Sequence, residues 1–413
     1  MHSTRDENQE APAGNMRLNV LLMVPSFHQG GSERQGLQLA RLLSETGRYR
    51  VILACLDRSG VLLPEAEGLG LGELPEFRLN SFNDRNMVTQ LRRGVALLKT
   101  QSIDVVQTFD FYTNVFGLTA AALARVPLRI GARRETEGHR TPAQRWVERR
   151  AFQLAHLVAA NSEAVRQELI RDGVPAAKVV TVYNGVATNR VAPIAQLNRA
   201  ALLSSLGLPS DSERRVVTIV ANLRSPYKDH PTFIKAARIV SEASPEATFV
   251  LAGEGPLIED MRLMARGLGI EQRTFFVGRC MRVAELLAVS EVCVLSSRAG
   301  EGFSNAIVEY MAAARPVVAT DVGGAREAIV EGETGWIVAP GDHTALAARI
   351  VELLRNPECA REMGEHGRQI VKQKFSREAQ LARIESLYQQ LLLTERAGSK
   401  KLDHTISHLE TVK

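Results

Sequence analysis

Between Ser296 and Gly324 the chain reads SSRAGEGFSNAIVEYMAAARPVVATDVGG. A polar glycine loop leads into an apolar helical pattern, Ala306–Ala314, that stops ahead of Arg315-Pro316. A β-branched run, Pro316–Thr320, and a Gly-Gly turn follow. Loop, helix, strand and glycine turn in that order form the repeating unit of a parallel sheet, whose neighbouring strands need a crossover connection. The same alternation extends outward in both directions. Upstream lie Thr274–Val277, Ala247–Ala252 and Arg215–Leu223, with Val292–Ser296 directly before the loop. A first series comprises Leu18–Val24, Val51–Leu56, Ile103–Phe109, Ala155–Asn161 and Lys178–Gly185, separated by helical patterns such as Glu33–Leu43. Near-continuous apolar strands with helices between them imply sheets covered on both faces.

The alternation breaks around Ala187–Ser212, where Pro193, Pro209 and a polar SDSER segment intervene, so a domain boundary is expected near 195–212. The expected organisation is a disordered leader over 1–15, a first α/β domain over 16–200, a second over 201–375, a long amphipathic helix over about 376–393 and a flexible tail over 394–413. A chain of 413 residues, 45% hydrophobic and 23% charged, suits two such cores. Cys55, Cys280, Cys293 and Cys359 have no C-x-x-C spacing and read as reduced thiols of a cytoplasmic protein. No run of about 20 apolar residues could span a membrane, and the polar first residues lack the apolar segment of a signal peptide.

The net charge of +5 is unevenly placed. Residues 1–200 hold 25 Lys and Arg against 19 Asp and Glu, and the surplus peaks between Arg129 and Arg150, with seven Arg and three Glu. A basic face there would suit an anionic membrane surface or a phosphorylated acceptor; a solvated arginine-rich helix accounts for the charge equally well. Nucleic acid is disfavoured, because aromatics are only 5% of residues and no recognition motif is present.

Three constellations carry chemistry. In PSFHQGGSER (Pro25–Arg34), Gly30 and Gly31 follow the first strand and open a helix, so backbone and unpaired amides can approach an anion. In VANLRSPYKDH (Val220–His230), Arg224 and Lys228 lie four apart after a strand, where open α/β sheets bind ligands, and together suit a diphosphate. In the opening stretch, Glu301 precedes Gly302, Phe303, Ser304 and Asn305, and Glu309 lies just over a turn inside the helix. The amides between the two acids form an anion site favoured by the helix dipole, while the carboxylates accept from the hydroxyls of a sugar or ribose. Each has a purely structural reading as well: a strand–helix turn, surface cations, and acids favoured by a helix terminus. No nucleophile elbow, H-E-x-x-H or clustered Asp motif occurs, and the nine His residues show no metal-ligand spacing outside His404 and His408 of the tail.

These motifs together resemble the family 4 retaining glycosyltransferases of the GT-B fold, from GGSER to GWIVAPGD. The most specific element is E-x7-E, present as EGFSNAIVE (Glu301–Glu309), with Arg224 and Lys228, the AGEGP turn and the TDVGG turn at matching intervals. The resemblance implies two Rossmann-like domains with parallel sheets facing an inter-domain cleft, and a final helix, Ser376–Leu393, crossing back to the first. It implies that Gly30 and Gly31 approach the donor diphosphate and that Arg224 and Lys228 neutralise the leaving group. Glu309 would hold the ribose and Glu301 the hydroxyls of the transferred sugar. The amides of Gly302, Phe303, Ser304 and Asn305 would meet phosphate or sugar oxygens, and Gly278 and Arg279 would lie beside the nucleobase. Many relatives carry His in the segment matching VVQTFDFYTN (Val105–Asn114). This chain has none, which leaves Asp110 as a catalytic or sugar-positioning candidate or else a strand-end loop acid, with Tyr112 and Asn114 as further contacts.

The expected activity is that of a metal-independent retaining hexosyltransferase (EC 2.4). It would use a nucleotide-diphosphate sugar as donor substrate, without a cofactor, and a lipid-linked or glycan acceptor in surface polysaccharide or glycolipid synthesis. The alternatives are a non-transferring relative, such as a sugar-nucleotide epimerase, and a non-catalytic partner subunit. The expected location is cytoplasmic, held peripherally at the inner face of the membrane.

Overall fold

The computed structural model describes residues 17–82, 84–136, 140–188, 198–211 and 213–396. The expected leader, residues 195–197 and 212 of the expected boundary and the tail from residue 397 lie outside them. Two six-stranded sheets organise the described chain, and every strand pair in them is parallel. In the first, β1 (Leu18–Val24), β2 (Tyr49–Cys55), β3 (Val105–Thr108), β4 (Leu128–Arg133), β5 (Leu157–Ala160) and β6 (Val179–Thr181) run in the order β2-β1-β3-β4-β5-β6. In the second, β7 (Arg215–Val220), β8 (Ala247–Ala252), β9 (Thr274–Gly278), β10 (Ser290–Leu295), β11 (Val317–Thr320) and β12 (Gly335–Val338) run in the order β12-β11-β10-β7-β8-β9. In each sheet the order reverses beside the first strand, and the crevice at that switch point is where a doubly wound sheet takes its ligand.

The strands are apolar because helices bury them on both sides: Val105–Thr108, Leu157–Ala160, Ala247–Ala252 and Val317–Thr320 are buried throughout. The helix Arg377–Arg396 begins within a residue of the expectation and runs three residues into the expected tail. Its Ile384, Leu387, Tyr388, Leu391 and Leu392 join the core of the first sheet, where the Tyr388 hydroxyl donates to Gln107 Oε1 at 2.6 Å. The connecting segments are paired, since Val186 N donates to Phe375 O (2.9 Å) and Arg377 N to Val186 O (3.2 Å). Tyr183, Phe303 and Phe375 pack beside them with ring centroids 4.9–5.2 Å apart. The helix Arg199–Ser205 packs Leu202 and Leu203 against Val216, Val250 and Leu286, so structure belonging to the second half begins by Arg199.

Two strands were not legible in advance. β12 is only four residues long. β4 is a central strand whose sequence, LRIGAR, is broken by charge, and it engages two of the seven arginines of the expected basic face. Arg133 is 1% exposed and pairs with Glu148 (2.7 Å), Asp172 (2.6 Å) and Glu168 (3.6 Å). Arg129 donates to the carbonyls of Leu154 and Val126 (both 2.7 Å), and Arg140 pairs with Glu135 and Glu148. Three of the seven arginines therefore neutralise acids or satisfy carbonyls, and Arg150, set over the exposed Trp146 ring, is the exposed one among the seven. No described helix is long and apolar enough to cross a membrane.

Candidate functional site

A cavity of about 340 Å³ lies between the carboxyl edges of the two sheets. Two helix N-termini open onto it. The helix Gly31–Glu45 starts from Gly30, and the helix Asn305–Ala312 starts from Ser304, neither with an N-cap side chain bonded to its first amides, although the Glu33 carboxylate takes the N–H of Glu33 itself. The remaining first-turn amides can face an anion, and both helix dipoles favour one there. The two termini meet closely, because a Cβ built on Gly31 would lie 3.9 Å from Asn305 Nδ2. Asn305 Oδ1 accepts from Asn184 Nδ2 at 2.7 Å, which ties the second helix tip to the first half.

Most of the residues singled out from sequence converge here. Gly30, Gly31, Arg224, Lys228, Arg279, Glu301, Gly302, Phe303, Ser304, Asn305 and Glu309 all line the cavity. Lys228 Nζ donates to Glu301 Oε1 at 2.5 Å, and the same oxygen accepts from Ser297 Oγ at 2.6 Å. Arg224 pairs with Glu254 at 2.9 Å, and Arg34 approaches Glu309 at 3.9 Å. Each of these carboxylates thus holds a cation at the cleft wall. Burial raises the Glu309 carboxyl above its ordinary range, and Arg34 only partly opposes that.

Asp229 stabilises the Lys228 turn. It sits in the left-handed region at φ 46°, buried, with its carboxylate accepting from Thr232 Oγ1 (2.6 Å) and Arg298 Nε (2.9 Å). The Glu301 loop depends on glycine at two points. A Cβ on Gly302 would stand 2.2 Å from Arg134 O and 2.4 Å from Asn161 Oδ1, and one on Gly323, at φ 53°, would stand 2.1 Å from Glu301 O. The loop is therefore pressed between the TDVGG turn and the first half, where Thr136 Oγ1 also donates to Glu301 O at 2.7 Å.

Two residues stand apart from the rest. Gly278 does not line the cavity; it ends β9 at φ 61°, and its carbonyl accepts from Gly253 N at 2.8 Å, while Arg279 and Cys280 reach the cavity wall. Asp110 faces a neighbouring cavity and caps the helix Phe111–Ala124, accepting from Tyr112 N (3.2 Å), Thr113 N (2.9 Å) and Thr113 Oγ1 (2.6 Å). Burial raises its carboxyl, and these bonds pull it back. Asn114 is buried beneath the sheet, bonded to Ala132 O (2.8 Å).

The residues missed from sequence are Arg134 and Glu135, which follow β4 into the cavity. Burial lowers the Arg134 guanidinium to about 10, against the pull of Glu135 and Glu33. Three buried atoms on cavity-lining residues, Arg134 Nε, Asn161 Oδ1 and Arg279 Nε, have no hydrogen-bond partner among the described residues. Such groups cost roughly 1–3 kcal/mol each, so their gathering around one cavity marks where a polar ligand would complete them.

Known proteins agree with this architecture. Residues 214–356 match the model for glycosyl transferases group 1, and residues 29–190 match that for Glycosyltransferase Family 4. The chain is 34% identical over 189 residues to N-acetyl-alpha-D-glucosaminyl L-malate synthase of Bacillus anthracis, a match covering 46% of this chain and 49% of the relative. It is 31% identical over 278 residues to a GDP-mannose-dependent alpha-(1-6)-phosphatidylinositol monomannoside mannosyltransferase of Mycolicibacterium smegmatis, covering 63% and 71%. The chain thus spans about half the length of the first of these relatives. Among solved structures, Anabaena HepE in complex with UDP superposes with a TM-score of 0.79 at 22% identity over 90% of this chain and 99% of that one. Sucrose-phosphate synthase from Thermosynechococcus elongatus gives 0.73 at 21%, over 92% and 100%. Both likenesses concern the two-domain GT-B fold. The two family matches, the similarity to the mannosyltransferase and the shared architecture together place this chain in glycosyltransferase family 4.

Proposed function

We propose that this protein transfers a sugar, with retention, from a nucleoside-diphosphate sugar to a hydroxyl acceptor in the synthesis of a polysaccharide or glycolipid. The observation that carries this reading is the single cavity in which two helix N-termini, the cations Arg224 and Lys228 and the carboxylates Glu301 and Glu309 converge. A diphosphate fits the amides and cations, and hydroxyls of ribose and sugar fit the carboxylates. The HepE structures hold UDP and UDP-glucose in the same fold, which supports a nucleotide-sugar donor.

In the reaction the bond from the sugar's anomeric carbon to the diphosphate breaks, and a bond to the acceptor oxygen forms on the same face. The acceptor proton passes to the departing phosphate oxygen. Arg224, Lys228 and the helix amides stabilise the charge that develops on that phosphate, a contribution worth about 10²–10³ in rate per well-placed donor. They would take the place of a metal ion. Glu301 orients the sugar and Glu309 the ribose. A thermal-shift series with UDP, GDP and ADP tests donor binding and identifies the base, because a ligand of the native state raises its apparent stability. Absence of any shift, together with no hydrolysis or transfer from UDP- and GDP-sugars, would refute the proposal.

A further inference from the structure

A second cavity, also of about 340 Å³, adjoins the first and shares Gly30, Gly31, Ser32 and Glu135 with it. We infer that it receives an uncharged or amine-bearing sugar ring as acceptor, seated on Tyr112 and held by Glu33, Glu135 and Arg140, and that it rejects phosphorylated or carboxylated groups. This rests on the transfer reaction above and names the class of its second substrate.

The size lies within the roughly 300–1,000 Å³ of small-molecule sites. Its charged lining among the described residues is Glu33, Asp110, Glu135 and Arg140. The Arg140 charge is already matched, by Glu135 at 3.0 Å and Glu148 at 3.1 Å. Among the described residues, an entering anion would therefore meet three carboxylates and no cation without a carboxylate already beside it, and like charges across a contact oppose binding. A hydroxyl or ammonium group meets the opposite situation, since ionised carboxylates only accept.

Arg140 supplies an independent sign of a ligand. Its side chain is 8% exposed, yet its Nε–H finds no acceptor among the described residues. A sugar hydroxyl can accept from that group and donate to a carboxylate at once. The aromatic wall completes the pattern. Tyr112 is 50% exposed, lies nearly parallel to Phe82 (centroids 5.9 Å apart, 14° between planes) and meets Phe111 edge-on at 5.2 Å. Its neighbours hold the ring as a firm apolar surface for the C–H face of a sugar. Glu135 lines both cavities, so it stands where an acceptor hydroxyl would approach the donor.

The test is saturation-transfer NMR on the full chain with UDP present. Probes are methyl gluco-, galacto- and mannopyranosides, methyl 2-amino-2-deoxyglucopyranoside, glucose 6-phosphate and glucuronic acid. At least one neutral or amino glycoside should bind tenfold or more tightly than either anion. Tyr112→Ala should remove that binding while leaving UDP affinity within twofold, and the Glu33→Gln/Glu135→Gln double variant should narrow the tenfold preference below threefold. Anions binding as well as neutral rings, neutral binding that survives Tyr112→Ala, or no sugar binding at all would each overturn the inference. Titrations of UDP, GDP and ADP without sugar read the donor site separately: sugar binding without nucleotide binding would sustain the neutral-ring pocket and remove the transferase reading.

Discussion

The Lys228–Glu301 contact makes two substitutions move nucleotide affinity in opposite directions. Without a nucleotide the lysine commits part of its charge to Glu301, at 2.5 Å, with the two side chains 26% and 11% exposed. Exposed pairs are worth about 0.2–1 kcal/mol, and losing one partner of a buried pair costs about 3–5. This half-buried pair falls between, at about 1–2 kcal/mol. A diphosphate must compete with Glu301 for the ammonium, so Glu301→Gln releases that amount and should tighten UDP binding roughly 5- to 30-fold. Lys228→Ala instead removes a charge-assisted hydrogen bond worth about 1.5–3 kcal/mol and should weaken UDP roughly 10- to 150-fold. Both variants should lose transfer activity, because Glu301→Gln removes the acceptor for a sugar hydroxyl. The glutamine keeps an oxygen for Ser297 and leaves the Thr136 bond to the Glu301 carbonyl untouched, so the loop should hold its shape. Isothermal titration with whichever nucleotide the thermal shifts select measures both constants. Displacement of the two affinities in the same direction would refute the competition and with it the placing of the diphosphate beside Lys228.

Gly302→Ala puts a methyl group into Arg134 O and Asn161 Oδ1, so it should wedge the halves apart; small-angle scattering should show a larger radius of gyration, and activity should fall at least tenfold. Arg133→Met leaves the fully buried Glu148 without its main partner and should cost about 3–5 kcal/mol, read as a lower urea midpoint. Burial, with Arg129 and Lys178 nearby, lowers His156 from 6.5 to about 4. The unfolded chain then binds a proton that the folded one refuses, so this contribution is complete above pH 6.5 and is lost as pH falls from 6.5 toward 4. His156→Gln should therefore flatten the decline in thermal midpoint between about pH 7 and pH 5, and an unchanged slope would count against it. Glu327 accepts from Glu163 N (2.7 Å) and Ala164 N (2.9 Å), capping a helix of the first half from the second. Glu327→Ala should cost about 1 kcal/mol, measured as a reduced thermal midpoint.

Sequence patterns proved most informative where local spacing alone sets geometry. Glu309 lies five positions into the helix Asn305–Ala312, whatever surrounds it, and Arg224 and Lys228 stay close because one short turn holds both. The patterns failed where a distant partner changes what a residue means. Arg129 and Arg133 read as surface charge, yet Arg133 is buried because Glu148, Glu168 and Asp172 come to it from two helices and a turn, 15–39 residues away. Missing β4 also hid Arg134 and Glu135, since a residue is a site candidate by standing at the carboxyl end of a strand. Asp110 carried a local signal that points to a structural role. The run Asp110-Phe-Tyr-Thr113 ahead of an apolar helix is a capping box, and both reciprocal bonds are present.

By itself, then, the sequence determined two parallel α/β sheets, a glycine-flanked loop bearing Glu301 ahead of the helix bearing Glu309, and a cationic turn, because each follows from periodicity and turn chemistry among near neighbours in the chain. Only the tertiary structure decided that these pieces share one cavity, that Arg133 neutralises buried acids, and that the adjoining pocket is acidic although its half of the chain is basic. Charge along a chain adds without regard to place, whereas the potential in a cleft depends on which groups face it and which are already paired.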